Sequence, residues 1–317
     1  MARQERLKRF GKETRIRWRA SRIGRRVLRA AAVGADPVDY CQRWRAAARY
    51  NRQFPSDRMS VKDGYALLPA GTLSGTTEIV DTCRRLFLTK KAVLEAEAPT
   101  DEEASRDRRS KRSFLFNLLD DDDRRANPDL VDFALSDPLL SIVTNYFGVV
   151  PSLAGVNLIY SLPRPTPDEH ISSQLFHRDP EGQTQAKVFL NIFDVDDTHG
   201  PFTFIPASLS ERAVPAILRQ RRRTGARIGV RYYDEELQTQ GCLDAAVRLV
   251  GPTGAAAIAD TSRCLHAGSR VQTGHFRLCL FLQYRVSDHQ VTRSFEARRF
   301  RDDPVRWLAV RRNAVLG

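Results

Sequence analysis

A mainly β fold with flanking helices, closed as a sandwich or barrel, is what this sequence predicts, and three observations predict it. The first is order. Helical periodicity dominates the first half, whereas from about residue 153 short runs rich in Val, Ile, Phe and Tyr alternate with Gly, Pro and Asp. That is the pattern of strands joined by turns around one core. The second is composition. A chain of 317 residues that is 42% hydrophobic can bury a sizeable core, yet no apolar run approaches the ~20 residues of a membrane-spanning helix. The third is cysteine usage. Cys41, Cys83, Cys242, Cys264 and Cys279 are odd in number, scattered and without a Cys-x-x-Cys pair. They predict reduced thiols in a cytoplasmic protein, not a disulfide framework or a zinc site.

Taken in order, the chain opens on a basic helical extension, residues 1–58. Net charge is +13, and residues 1–50 hold 15 Lys/Arg against 4 Asp/Glu, so the body is close to neutral. Ile16, Ala20, Ile23, Val27, Ala30 and Ala31 recur at near-helical spacing among arginines from Arg15 to Arg29. This predicts a basic amphipathic helix over 14–32, ended by Gly34. A second helix is expected around Tyr40–Tyr50. Asp63–Pro69 reads as a turn entering a short strand, 77–96 as a helix and 98–113 as a charged loop. Asp120–Asp123 reads as a solvated loop or helix start, because it lacks the alternating ligands and glycine of a calcium loop. Ser136-Asp137-Pro138 opens a helix through Phe147 that Gly148 stops. Strands are expected at Val156–Ser161, Lys187–Phe193, Phe202–Ile205, Ala255–Ile258 and Phe276–Tyr284. The β-rich domain spans 59–295, and 296–317 form a basic tail.

The chemistry gathers at His177-Arg178-Asp179 and, further on, at His266 and Arg277. In a strand, positions i and i+2 share a face, so His177 and Asp179 at a strand end aim at one point. His266 can complete a two-His-one-carboxylate face, which suits iron(II) with open positions opposite. Read singly, His177 is equally a hydrogen-bonded core histidine and Asp179 a turn residue. Arg277, Cys279 and Phe281 share one face of an apolar strand. A charge there is costly without a partner, and a dicarboxylate supplies one through two parallel hydrogen bonds. The alternative places Arg277 on the solvent face of an edge strand.

Residues 173–209 resemble the phytanoyl-CoA dioxygenase family. The resemblance rests on His177-Arg178-Asp179, the strand after it, Gly200-Pro201 and Pro206-Ala207-Ser208, with weaker likeness over roughly 60–290. It implies a double-stranded β-helix, a cupin-like jelly roll with its metal inside one end. It further implies that His177, Asp179 and His266 bind Fe(II), and that Arg277 binds the distal carboxylate of 2-oxoglutarate. O2 would complete the cofactor set, and hydroxylation of a C–H bond would release succinate and CO2. The chain departs from the family at Ala207-Ser208-Leu209, where Gly-Ser-His is common, which touches a turn and no ligand. Asp179 argues against the related halogenases, which carry a small residue there. Gln283 argues against base demethylases, which carry a second arginine there.

Further pocket residues are expected from face-sharing and position: Phe189 and Asn191 with Lys187 after the His-x-Asp, Tyr160 or Asn157 on the strand before it, and Ser269 or Arg270 just after His266. The bland alternatives make Phe189 core and turn Lys187 outward. His170, His199, His275 and His289 read as turn or surface residues. The substrate class, a small molecule, lipid or glycan, is not legible. The basic helix at 14–32 suits peripheral attachment at the anionic inner face of a membrane. It equally suits docking on the body; an organelle transit segment has similar chemistry, and no specific nucleic-acid motif is present. The competing function is a non-catalytic or 2-oxoglutarate-independent cupin-type binding protein.

Overall fold

In a computed structural model, which describes residues 36–96, 114–164, 170–179, 184–286 and 297–311, two antiparallel sheets face each other. The strands are β1 (Tyr65–Leu68), β2 (Leu115–Asn117), β3 (Ser152–Ser161), β4 (Phe176–His177), β5 (Gln185–Asn191), β6 (Thr203–Ile205), β7 (Arg231–Tyr232), β8 (Val247–Arg248), β9 (Ala256–Ala259), β10 (Leu265–Ala267) and β11 (Arg277–Arg285). The large sheet runs β1-β9-β5-β11-β3-β2 and the small one β7-β4-β10-β6-β8. Sequence neighbours rarely pair, and all the strand pairs are antiparallel. Two such sheets packed face to face are the jelly-roll arrangement expected from the β-rich half.

Helices cover the outer faces. They are α1 (Pro37–Gln53), α2 (Thr76–Ala96), α3 (Asp121–Ala126), α4 (Asp129–Ala134), α5 (Asp137–Phe147), α6 (Ala207–Thr224), α7 (Asp234–Thr239) and α8 (Pro304–Val310). The main core lies between the large sheet and α1, α2, α4, α5 and α8. Val156, Leu158, Val188, Leu190, Leu278, Leu280 and Leu282 meet Ala47, Ile79, Leu130, Leu139, Val143 and Leu308 there. A smaller cluster joins Phe176, Ile205 and Leu265 of the small sheet to Ala213 and Ile217 of α6 and Leu237 of α7. Between the sheets, a third cluster of Phe202, Phe204, Ala257 and Ala259, with Tyr65 and Phe189 packed on it, closes part of the interior. Among the described residues no helix is long and apolar enough to cross a membrane.

The expected strands appear with ends shifted by a few residues, as hydrogen bonding extends β3 back to Ser152 and β11 on to Arg285. Asp120 does start a helix, capping α3 with the reciprocal Asp120–Asp123 bonds. Ser136 takes the N-cap position of α5 with no side-chain bond; Asp137 Oδ1 instead accepts from Tyr50 Oη at 2.8 Å and Arg306 Nη2 at 2.9 Å. One element departs from the strand-and-turn expectation: Ala207–Thr224 is an 18-residue helix, not a turn. Its apolar positions Ala213 and Ile217 are four apart, and they lie against the outer face of the small sheet. The limits expected at 58 and 296 do not coincide with a break in packing, since Ala47 and Tyr50 of α1 and Leu308–Val310 of α8 share one cluster with the large sheet. Buried Arg43 of α1 pairs with Asp39 at 2.7 Å and donates to Val150 O at 3.1 Å, tying that helix to the body. The basic helix expected over 14–32, the charged segment 98–113, His289 and the last six residues lie outside the described residues.

Candidate metal centre

Three candidate ligands, two imidazoles and a carboxylate, converge where β4 and β10 meet. In the antiparallel register His177 lies directly opposite His266, so both rings stand on one face, with centroids 4.3 Å apart. Asp179, two residues past His177, reaches the same point. The ligand atoms of His177, Asp179 and His266 all lie within 4.8 Å of one another, and all three residues are buried. The chain after β4 is held there because Asp179 N donates to Thr261 O at 3.0 Å. The turn that carries His266 therefore also positions the carboxylate.

Hydrogen bonds prepare each group to ligate. His177 Nδ1 lies 3.0 Å from Leu175 O, and His266 Nδ1 lies 3.2 Å from Cys264 O. A carbonyl only accepts, so each Nδ1 carries the proton and each Nε2 is left with its lone pair. Burial pushes His177 well below the usual imidazole range, helped by His266 and Arg231. Burial likewise pushes His266 down to about 4 against the pull of Asp179. Both rings are neutral at neutral pH, as a metal ligand must be. Burial alone would raise the Asp179 carboxyl, but Lys187 and the two imidazoles outweigh it and hold it below the usual carboxylate range. Asp179 Oδ2 is taken by Lys187 Nζ at 2.7 Å and Gln185 Nε2 at 2.9 Å. Oδ1 is left facing His266 Nε2 at 3.7 Å. One carboxylate oxygen is clamped and the other points at the histidines, which is how outer hydrogen bonds orient a ligand.

Arg277 begins β11 on the inner face of the large sheet. It is 6% exposed, and burial lowers its affinity for its proton. Its Nη2 donates to Ser269 Oγ at 3.3 Å, while Nε and Nη1 are buried without a partner. Ser161, opposite Arg277 in the β3–β11 register, lies 3.0 Å from Ser269 through their hydroxyl oxygens. Ser269 adopts a left-handed backbone, φ 61°, a cost the surrounding bonds must sustain. Its carbonyl accepts from Gln174 Nε2 at 3.0 Å, and its N–H donates to Gly200 O at 3.2 Å. Two glycines permit this packing. A Cβ on Gly268 would come within 3.4 Å of Arg277 Nη2, and one on Gly200 within 2.6 Å of the Arg270 backbone. Gly200 therefore has a physical reason to precede Pro201.

Of the other expected pocket residues, Asn191 and Phe189 share the inner face. Asn191 is 1% exposed, with its Nδ2 buried and unpartnered. Phe189 stacks on Phe202 at 3.7 Å between centroids, and Phe202 lies 5.8 Å from the His266 ring. Lys187, expected to line the pocket or turn outward, points inward onto Asp179. Tyr160 is a correction. It pairs with Leu278, on the opposite face of the sheet, and its ring lies among Phe87, Phe116 and Phe276. Strand alternation puts Ser161 on the inner face in its place. Arg270 is engaged by Asp234 at 2.6 and 2.8 Å. His199 and His275 meet each other, centroids 5.0 Å apart, beside Asp196. Sequence reading missed Gln185, Ser161, Gly268 and Arg231, and had no means of pairing Lys187 with Asp179. Their roles depend on cross-strand register, for which a single strand carries no signal.

No family model matches the chain, and no curated protein matches it. Among solved structures it is similar to EctD from S. alaskensis, crystallised with 2-oxoglutarate and 5-hydroxyectoine, at 16% identity, TM-score 0.45, covering 71% of this chain and 73% of that one. It is similar to the α-ketoglutarate-dependent epimerase SnoN of nogalamycin biosynthesis at 16% identity, TM-score 0.43, covering 76% and 79%. It is also similar to HygX from Streptomyces hygroscopicus, crystallised with nickel and 2-oxoglutarate, at 16% identity, TM-score 0.44, covering 71% and 83%. At these values the chemistry of this chain is read from its own residues.

Proposed function

We propose that this chain is a non-haem iron(II)- and 2-oxoglutarate-dependent oxygenase that hydroxylates a C–H bond of a small-molecule, lipid-linked or glycan substrate. The observation that carries the reading is Arg277. A fully charged guanidinium buried with two unpartnered nitrogens is costly unless an anion completes it. It begins on the sheet wall that also carries Lys187, the partner of Asp179. A dicarboxylate that places one carboxylate on Arg277 and its other end at the triad satisfies both features. The donor set fits the metal too: two neutral imidazoles and one carboxylate suit a ferrous ion with open positions.

Bound iron(II) and 2-oxoglutarate would supply activation of O2 coupled to oxidative decarboxylation, giving succinate, CO2 and an oxidised C–H bond. The chain's own residues bind, orient and exclude. His177, Asp179 and His266 would hold the metal. Arg277, with Ser269 and Ser161 behind it, receives the distal carboxylate, and the Asn191 amide donates to the same ligand. Phe189 and Phe202 close the floor against water. Lys187 and Gln185 occupy one oxygen of Asp179 and leave the other toward the histidines.

Anaerobic protein titrated with Fe(II) and then 2-oxoglutarate should develop the weak visible charge-transfer band of a chelated 2-oxo acid. The band should saturate, and it should be absent in His177→Ala. A metal-replete, folded protein with no band would instead favour a 2-oxoglutarate-independent cupin.

A further inference from the structure

The inner wall carries one more cation than a metal and 2-oxoglutarate account for. Arg231 lies on β7, the edge strand of the small sheet, directly opposite His177 in the register. Opposed residues share a face. Its neighbour Tyr232 packs in the outer cluster with α6 and α7, so Arg231 faces the interior. There it acts on both His177 and His266, and Asp179 is the charge that acts on it. No ion pair or side-chain hydrogen bond holds it among the described residues, and its Nη1 is buried without a partner.

The other cations of this wall are committed. Lys187 is bound to Asp179 at 2.7 Å, and Arg277 is the seat proposed for the distal carboxylate of 2-oxoglutarate. Beside the ligands, Lys187 and Arg231 face one carboxylate among the described residues, Asp179, while Arg277 stands at the start of β11 on the same inner wall. Lys187 takes Asp179 and the distal carboxylate of 2-oxoglutarate would take Arg277, so Arg231 is the cation of this wall left unpaired. Arg231 is partly buried, and pairing its guanidinium with a carboxylate or phosphate gives two parallel charge-assisted hydrogen bonds.

We infer that Arg231 is a specificity residue that receives an oxyanion, a carboxylate or phosphate, carried by the molecule to be oxidised, orienting that molecule at the triad from the small-sheet side. The inference rests on the oxygenase reading above and narrows its substrate to acids. Neutral sterols or uncharged sugars would leave Arg231 unpaired.

The test uses full-length protein loaded with Co(II) and saturated with 2-oxoglutarate, so that Arg277 is occupied. 13C-acetate and methyl phosphate serve as probes, read by the paramagnetic relaxation that the cobalt imposes on their carbon or phosphorus nuclei. At least one probe should show saturable relaxation. Arg231→Gln should weaken that binding at least tenfold while the cobalt spectrum and the affinity for 2-oxoglutarate stay as in the wild type. Arg231→Met, which suits a partly buried site better, serves as a second charge-removing variant in case the first fails to fold. The stronger probe decides between carboxylate and phosphate. Binding that is unchanged in the variants would place the anion on the metal alone and overturn the inference, as would no saturable binding. A fall in 2-oxoglutarate affinity would assign Arg231 to the cosubstrate and overturn it equally. Failure of the wild type to bind cobalt or 2-oxoglutarate would sink the oxygenase reading itself, and this inference with it.

Discussion

The two faces of the large sheet are made of the same strands and have opposite characters. On the outer face, β11 presents Leu278, Leu280, Leu282 and Tyr284, all buried in the main core. On its inner face the same strand presents Arg277, Cys279, Phe281 and Gln283. β5 repeats the contrast, with Ala186, Val188 and Leu190 outside and Gln185, Lys187, Phe189 and Asn191 inside. The outer face is close-packed hydrocarbon that stabilises the fold. The inner face holds buried polar atoms still lacking partners, on Arg277 and Asn191, and gains stability only when a ligand arrives. A β-strand alternates its side chains, so one strand can do both without either interfering. Function is concentrated where local rules of burial are broken.

The variants that break or sharpen this contrast fall in order of expected effect. His177→Ala and Asp179→Ala should abolish metal binding, measured by calorimetry with Fe(II) or Co(II), while the circular dichroism of the folded protein is kept. Unfolding of both variants would show that the inner face also carries the fold. Arg277→Leu removes a buried guanidinium and its two unpartnered nitrogens. It should cost about 3–5 kcal/mol of 2-oxoglutarate binding, a loss of more than a hundredfold, on the scale of breaking a buried charge pair. Its melting temperature should be unchanged or raised, because a buried unpaired charge has gone. A large drop in melting temperature would contradict the account of that wall as a ligand site.

On the opposite face, Leu280→Ala should reverse the pattern. It should lose about 2–5 kcal/mol of stability in chemical denaturation with metal affinity at saturating folded protein retained. Lys187→Met should weaken metal binding by about 10–100-fold, because Asp179 loses the cation that keeps it ionised and clamped. Unaltered affinity would make the 2.7 Å contact incidental. The smallest effect is in protons. With His177 and His266 already neutral, metal binding at neutral pH should release fewer than one proton, read from calorimetry in buffers of different ionisation enthalpy. Release near two protons would mean that both imidazoles are charged in the free protein.

Much of this contrast was legible in the chain. Alternation in Arg277-Leu278-Cys279-Leu280-Phe281-Leu282 marked a strand with one apolar face and an arginine on the other. His177-x-Asp179 marked two ligands on one side of a strand end. Tyr160 shows the limit. Adjacent residues of a strand face opposite ways, so a misjudged face exchanges Tyr160 for Ser161, and only the pairing with β11 decided between them. The helix Ala207–Thr224 was hidden for another reason. It carries only a narrow apolar stripe among arginines and a proline, and its stability comes from the small sheet beneath it, not from local propensity.

What the sequence by itself determined is local: which segments alternate, where turns fall, and that two imidazoles, a carboxylate and a stranded arginine occur in an order suited to a metal and a dicarboxylate. Periodicity and side-chain chemistry are properties of neighbouring residues, and a single chain displays them. What only the tertiary structure decided is partnership. His266 opposite His177 and Arg231 across from that first histidine join strands far apart in sequence, and Lys187 on Asp179 and Ser269 and Gly268 against Arg277, though near in sequence, meet only when the chain folds back. Their register is set by how two whole sheets close over one interior, and the free energy of that closure belongs to no single segment.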